Sequence, residues 1–411
     1  MEIRIMRQIK DLKNKTVLLR VDFNVPIKNG KIIDDYKIKK TIPTIEHLAK
    51  KGAKIILISH LGRPEGFDKK LSLRPVAVNL EKILKKKIKI LDLKNWEKTT
   101  KEIKAMKAGE AVMLENIRFL PGEEKNEKNL AKALATLADI FVLDGFAVSH
   151  RAAASVSGIA RYLPAYAGLL LEDEIKGLAK FTESPKKPFT AVLGGVKMET
   201  KIPIIKNLLK KADYILLGGG IVNTYLWANG IKIGSSIIEK NLKKKAAAFG
   251  KNKKIIMPVD LIVGKKDGKN ARVVDLSYEN GKMKQIKITN SEGIYDIGPK
   301  TIELYSRYIK KSFILVWNGA MGYFERHPYE YGTYSIARLV AEKSKGKTFG
   351  AAGGGETIEV LKKLRLTDDI DLVSTGGGAM LEFLAGKNLP GVDAVRIGKK
   401  FRNFLSMFFS F

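Results

Sequence analysis

The chain has no cysteine. Disulfides, thiolate metal sites and cysteine nucleophiles are therefore excluded, and the composition fits a reducing compartment. No apolar run approaches the ~20 residues of a membrane span. The opening segment Met1-Glu2-Ile3-Arg4-Ile5-Met6-Arg7 lacks the apolar core of a signal peptide. A cytoplasmic location with no membrane partner is the expectation. The Phe-rich stretch 404–411 is greasy but short, and is expected to dock on the protein's own surface. Acidic residues are scarce, 43 against 75 Lys and Arg, which leaves a net charge of +32. Such a charge admits nucleic-acid binding. Yet the lysines are scattered along the whole chain, as in Lys85-Lys86-Lys87 and Lys243-Lys244-Lys245. There is no aromatic-interleaved basic motif, zinc finger or zipper. The excess reads as a lysine-rich surface that steers anionic substrates, with no specific nucleic-acid partner.

What the chain does have is length and alternation. At 411 residues and 45% apolar it can bury two cores. Short β-branched runs alternate with amphipathic stretches, which predicts parallel α/β layers. Strands are expected at 17–21, 54–59, 88–91, 112–114 and 140–143, and helices at 41–51, 75–86 and 129–138. A helix-like segment over 168–181 leads into the two prolines of Glu183-Ser184-Pro185-Lys186-Lys187-Pro188, which mark a domain junction. The second half repeats the alternation. It is interrupted by 271–289, read as a hairpin around an Asn280-Gly281 turn.

Four times in that half an apolar run ends in glycines and a helix-like stretch follows. The junctions are Gly194-Gly195, Gly218-Gly219-Gly220, Gly353-Gly354-Gly355 and Gly376-Gly377-Gly378. Glycine lets backbone N–H groups approach a ligand, and a helix start adds unpaired donors and a positive dipole end. One such junction is ordinarily a tight turn; four together predict a nucleotide-phosphate site.

Strand ends in the first half carry other chemistry: Arg20-Val21-Asp22-Phe23-Asn24, His60-Leu61-Gly62-Arg63, Glu115-Asn116-Ile117-Arg118 and Asp144 through Arg151. Ligands of open parallel sheets sit beyond the carboxyl ends of the strands. These groups therefore converge on one crevice suited to a guest with carboxylate and phosphate. Arg20 reads as one half of a buried ion pair. Asp22 and Asn24 read as ligand contacts or as caps of the turn before Pro26. His60 reads equally as a core residue or a ligand, and His150 as support for Arg151. His47 and His327 receive no role.

In this order the residues resemble the phosphoglycerate kinase family over nearly the whole chain. The resemblance rests on Thr16-Val17-Leu18-Leu19-Arg20-Val21-Asp22-Phe23-Asn24-Val25-Pro26 and His60-Leu61-Gly62-Arg63-Pro64. It continues through Gly194-Gly195-Val196-Lys197 with Lys201, Pro258-Val259-Asp260, Trp317-Asn318-Gly319-Ala320-Met321-Gly322-Tyr323-Phe324-Glu325 and Ser374-Thr375-Gly376-Gly377-Gly378-Ala379. It implies two doubly wound, Rossmann-like lobes joined by a helical hinge. The lobes would be 1–170, completed by 391–411, and 189–390, with 171–188 between them. It implies reversible phosphoryl transfer between 1,3-bisphosphoglycerate and ADP, with Mg²⁺, by a monomer. Asp22, Phe23, Asn24, Lys37, His60, Leu61, Gly62, Arg63, Arg118 and Arg151 would bind 3-phosphoglycerate. Gly195, Lys197, Lys201, Gly219, Asn318, Tyr323, Glu325, Gly354, Gly355, Glu356 and Thr357 would bind ATP. Lys37, Lys197, Gly354, Gly377 and Gly378 would face the phosphoryl group in transfer.

Four positions depart from the family pattern. Lys37 stands where an arginine is usual, Glu356 where an Mg²⁺-ligating aspartate is usual, Ala320 for a proline, and Thr200 for an acidic residue. Lysine keeps the charge and loses the planar fork. Asp34-Asp35 is expected to turn the chain into a helix from about Ile38, leaving Lys37 beside the crevice; the other register would give the role to Lys39 or Lys40. Glu356 reads as the metal ligand or as a helix cap. Residues after Pro390 are expected to return to the first lobe.

Overall fold

The computed structural model describes residues 2–183, 185–248, 252–279 and 282–397. The Asn280-Gly281 turn and the Phe-rich tail lie outside the described residues. The chain forms two compact units, Met1–Lys176 with Asn388–Phe411, and Gly177–Lys387.

The first unit is built on a six-stranded parallel sheet. Its order is Lys89–Leu91, Ala111–Leu114, Lys54–Ile58, Thr16–Arg20, Ile140–Leu143 and Ala165–Ala167. Central strands are buried on both faces, so they read as unbroken apolar runs rather than as alternation. Chain direction across the sheet reverses between Thr16–Arg20 and Ile140–Leu143, the place where parallel sheets open a crevice. The two ends of the described chain meet here: Arg4 N–H donates to Val395 O at 2.8 Å and Ile397 N–H to Glu2 O at 3.1 Å.

Helix boundaries differ from expectation for local reasons. The first long helix is Tyr36–Lys50, five residues ahead of the start at 41. The Asp34 carboxylate takes the Tyr36 N–H at 3.0 Å, and the buried face already begins at Ile38 and runs on through Thr41, Ile45 and Leu48. Pro43, which looks like a helix start, lies inside it. Helix Arg74–Leu84 stops short of 86 because Lys85 turns left-handed at φ 53°. Helix Lys128–Ala135 ends where the Thr136 hydroxyl donates to the Ala133 carbonyl at 2.7 Å.

The second unit repeats the plan with order Ile255–Ile256, Tyr214–Leu217, Phe189–Leu193, Ile314–Asn318, Phe349–Gly353 and Leu372–Ser374, all parallel. The four strands that end in glycine junctions stand in this one sheet with Ile314–Asn318 among them. Parallel pairing brings all their carboxyl ends to one edge. An antiparallel sheet of Arg272–Asp275, Asp260–Gly264 and Gly293–Ile297 is attached. Segment 271–289 is thus two things. Its first strand joins that sheet, and Tyr278–Glu279 pairs with Lys282–Met283 as the hairpin.

Helix Leu169–Thr182 contains the boundary between the units. Its start is held by Asp144, whose Oδ1 accepts from Leu170 N at 2.9 Å and Leu171 N at 3.2 Å. Burial pushes the Asp144 carboxyl up to about 7, against the pull of these donors. A raised carboxyl favours the folded state when protonated. Its contribution is therefore full below the unfolded pKa of about 4 and is lost as pH rises through 7. Asp144→Asn keeps the acceptor without the charge. It should stabilise the protein at pH 8 by more than about 1 kcal/mol and change little at pH 4. Urea unfolding at the two pH values measures this, and an equal effect at both would contradict it.

Candidate active site

Strand Thr16–Arg20 delivers Arg20, Asp22 and Asn24 to the crevice of the first unit. Arg20 is fully enclosed. Its Nε donates to Ser155 Oγ at 2.8 Å and its Nη2 to His60 Nδ1 at 3.2 Å. A guanidinium has no acceptor, so Nδ1 is the unprotonated nitrogen of His60 and Nε2 carries the hydrogen. Burial drives the His60 pKa well below its ordinary value, aided by Arg20, Arg118 and Lys37, and the ring is neutral at pH 7. The expected direct ion pair of Arg20 is replaced by a relay. Glu123, also buried, accepts from Ser155 N at 2.9 Å and from the same Ser155 hydroxyl that Arg20 engages.

Asp22 caps the turn and pairs with Lys37. Its Oδ1 takes the Asn24 N–H at 3.2 Å, and its Oδ2 takes Lys37 Nζ at 2.7 Å. Burial alone would raise this carboxyl, but Lys37, His60 and Arg20 bring it down to about 2. Lys37 sits in the first turn of its helix. Exposed Lys39 pairs instead with half-buried Asp35 at 3.0 Å, and Lys40 lies over the Tyr36 ring. Asn24 Oδ1 accepts from Gly62 N at 3.0 Å, and Arg118 Nη1 donates to Gly62 O. Phe23 and Leu61 contribute backbone: Phe23 N donates to Ser59 Oγ at 2.9 Å and Leu61 N to Asn116 Oδ1 at 3.2 Å. Arg63 follows on the exposed side. Arg20, His60, Arg118 and Arg151 line a cavity of about 100 Å³ with Glu123 and Glu124.

In the second unit the four glycine junctions divide into two kinds. Gly194, Gly195, Gly218 and Gly219 spend their N–H groups on the carbonyls of Asn318, Ala320, Leu193 and Met321. These glycines give shape: a Cβ on Gly194 would stand 2.1 Å from Ala320 O. Gly195 and Gly219 line a cavity of about 240 Å³ with Tyr323, Glu325 and Glu356, floored by Leu261 and Ile294. The other junctions start helices Gly355–Lys363 and Gly377–Leu384. Their first in-helix donors are Ile358, to Gly354 O, and Met380, to Gly376 O. The N–H groups of Gly355, Glu356, Gly377 and Gly378 have no acceptor among the described residues. Gly354, at φ +100°, makes the turn into its helix, and a Cβ on Gly377 would lie 3.7 Å from the Gly354 Cα. The two donor sets are neighbours.

Lys201 lies beneath, buried, with Nζ on Asn318 Oδ1; Asn318 Nδ2 donates to Gly353 O at 2.7 Å. Asn318, expected to line the nucleotide cleft, thus holds the lysine in this structure. Burial lowers the Lys201 ammonium to about 8, while Glu356 works to raise it. Buried Thr357 takes the Gly319 N–H at 2.8 Å, a structural contact. Lys197 is exposed at the N-cap of helix Met198–Leu208. Burial, with Glu356 and Glu359 nearby, holds the Glu325 carboxyl above its usual range.

No three His, Asp or Glu side chains form a metal cage among the described residues. A Mg²⁺ ion would then rest on one carboxylate and on nucleotide oxygens. Glu356 fits that part. It is exposed on the first turn of its helix, faces the cavity, and is bound only weakly by Ala320 N at 3.4 Å.

Sequence reasoning missed Glu123, Ser155 and Glu239, and it named Asn116 in its strand-end motif without foreseeing its partners. The Glu239 carboxylate takes the N–H groups of Met198 and Glu199, the latter at 3.1 Å. It thereby fills the helix start that follows the first glycine pair.

The chain has clear relatives. The family model described as Phosphoglycerate kinase matches residues 6–387. A phosphoglycerate kinase of Dictyoglomus turgidum is 45% identical over 392 residues, 94% of this chain and 97% of the relative. The phosphoglycerate kinase structure from Coxiella burnetii matches with TM-score 0.83 at 40% identity, covering 96% of this chain and 99% of that one. The one from Pyrococcus horikoshii matches with TM-score 0.83 at 33% identity, covering 97% and 100%.

Asn116 generates a test of the crevice itself. It is fully buried, accepts from Leu61 N, and donates to Leu61 O at 2.8 Å and Leu71 O at 2.9 Å. Asn116→Ala removes the partner of four backbone groups, Leu61 N and O, Leu71 O and Arg118 N, and should cost about 2–4 kcal/mol in denaturant unfolding. A loss within ~0.5 kcal/mol of zero would show that the loop does not depend on it.

Proposed function

The chain belongs to the phosphoglycerate kinase family, a family of phosphotransferases with a carboxyl acceptor, and from that premise we propose how its residues divide the reaction. The reaction moves a phosphoryl group reversibly between 1,3-bisphosphoglycerate and ADP, giving 3-phosphoglycerate and ATP. Arg118, Arg151 and Arg63 take the phosphate of the three-carbon substrate, with Asp22, Asn24 and neutral His60 on its hydroxyl and carboxyl end. Lys37 supplies charge at the carboxyl where the phosphoryl group is accepted. The nucleotide base enters the slot lined by Gly195, Gly219 and Tyr323, with Glu325 on the ribose hydroxyls. Lys201 and Lys197 hold phosphate oxygens. The N–H groups around Gly354, Gly355, Gly377 and Gly378 receive the phosphoryl group in transfer, and Glu356 holds Mg²⁺, which neutralises phosphate charge when bound. A carboxylate attacks without a general base, so positioning and charge stabilisation are what the protein must provide.

The observation that carries this reading is a pair of anion sites of different construction. One unit offers arginines and Lys37, the other offers unpaired helix donors over a buried lysine. In-line transfer needs the two reacting groups in contact, so the reading requires one catalytic state that brings both substrates together with water excluded. It also takes the enzyme as a cytoplasmic monomer that uses Mg²⁺ and no nucleic acid. The scattered lysines support it as a field for anionic substrates.

A coupled assay of ATP formation from ADP and the acyl phosphate tests the reading, and absence of ATP would end it. In the same assay Lys37→Ala should lower kcat by about 100-fold or more, as loss of a transition-state charge contact does. Lys37→Arg should retain substantial activity. An unimpaired Lys37→Ala with an inactive Lys39→Ala would move the role to Lys39.

Lys201 supplies the pH dependence. Only its protonated form attracts phosphate, and its pKa is lowered to about 8. Raising the pH through that value discharges it. The kcat/KM for ATP should therefore fall above pH 8, by about tenfold for each further unit. Lys201→Arg stays charged and should lose this limb. A flat wild-type profile well above pH 8 would refute the assignment.

A further inference from the structure

Glu123 and Glu124 are adjacent carboxylates with opposite surroundings. Glu123 is locked inward on Ser155, and its own carbonyl takes the Ala154 N–H at 2.9 Å. Glu124 lies in the turn between Gly122 and Asn126, both at positive φ, and its side chain is 57% exposed. Its Oε1 nevertheless reaches two arginines, Arg118 Nη2 at 2.8 Å and Arg151 Nη1 at 3.5 Å. One carboxylate oxygen thus bridges the two guanidinium groups that wall the small cavity of the first unit.

We propose that Glu124 is a specificity-determining residue, an internal anion that competes with the substrate phosphate for Arg118 and Arg151. The inference rests on the reading of this crevice as the phosphoglycerate site. Arg118 has its other terminal nitrogen committed to the Gly62 carbonyl. A phosphate that is to grip Arg118 and Arg151 together must displace Glu124 from both. The displacement needs only side-chain rotation, because the turn is fastened independently. Glu123 binds Ser155, and a Cβ on Gly158 would meet Asn126 at 2.4 Å, which shows how closely the far end of the turn is packed. The effect is a threshold. Monoanions such as chloride or a lone carboxylate gain too little from the two arginines to replace a carboxylate already there. A phosphate dianion, with more charge and three acceptor oxygens, gains enough. The same contact holds the two cations at a fixed spacing. This matters because Arg151 and Arg118 repel each other, as the depressed Arg118 pKa reflects after its burial.

Glu124→Gln removes the competing charge and nearly preserves shape. It should lower KM for 3-phosphoglycerate by about two- to fivefold, within the range that the loss of one partly exposed ion pair corresponds to. KM for ATP, whose residues lie in the other unit, should not move. Glu124→Asp keeps the charge with shorter reach and should fall between wild type and Glu124→Gln. Calorimetric titration with inorganic phosphate, with chloride as the competing monoanion, reads the same competition without turnover. Phosphate should bind Glu124→Gln more tightly by the same factor, and chloride should compete better than it does in wild type. An unchanged or raised KM together with unchanged phosphate affinity would overturn the proposal, since a merely structural Glu124 could only weaken binding when lost. Wild-type protein that fails to use 3-phosphoglycerate would sink the functional reading alone, and the calorimetric comparison would still decide the role of Glu124.

Discussion

The arrangement depends on holding several cations close together at one end of a sheet. Arg20, His60, Arg118, Arg151 and Lys37 converge beyond the strand ends of the first unit. Burial lowers the pKa of Arg20, and Arg118 and Arg151 lower it further. Burying such a cluster costs stability, and internal anions offset that cost. Three carboxylates supply them by three routes. Asp22 acts directly on Lys37, Glu123 acts on Arg20 through the Ser155 hydroxyl, and Glu124 acts on Arg118 and Arg151 from the surface. The result is a crevice that is positive toward a ligand and compensated behind it. The neutral state of His60 follows from the same crowding, since one more positive charge there would face Arg20 at hydrogen-bond distance.

The second unit solves a similar problem with backbone. Parallel pairing sets four glycine junctions along one edge, and hydrogen bonding then sorts them. The first two junctions turn glycine N–H groups onto neighbouring carbonyls and shape a slot; the Gly354 and Gly377 turns leave their helix-start donors unpaired, as Gly220 and Ile221 do at the start of helix Gly220–Ala228. Glu239 closes the helix start that follows the first pair. The Gly354 and Gly377 turns are neighbours, and Asn318, which holds Lys201, donates to the Gly353 carbonyl beside them.

Much of this was legible in the sequence. The buried strands announce themselves as apolar runs, and the residues just after them announce a strand-end site. The family resemblance fixed the order, and the family findings agree with it. What was not legible depends on partners far apart in the chain. Asn116 gives no local sign that it will hold Leu61 and Leu71, and nothing in Glu239 points to Met198. The relay from Arg20 to Glu123 spans more than a hundred residues and passes through a serine of no evident role. All four glycine junctions look alike as sequence, because the carbonyls that silence two of them belong to other strands. The Asp34-Asp35 turn points to a helix from about Ile38, and the helix begins two residues earlier because the Asp34 carboxylate takes the Tyr36 N–H.

Amide chemical shifts are the most direct test that the donors are divided in this way. A ¹⁵N-labelled sample can be titrated with Mg²⁺-nucleotide and followed at the glycine resonances. The account predicts the large downfield shifts of new N–H to phosphate hydrogen bonds at Gly355, Gly377 and Gly378. Gly194 and Gly218, already bonded to carbonyls, should move little. Large downfield shifts at Gly194 and Gly218 with none at Gly377 and Gly378 would contradict it.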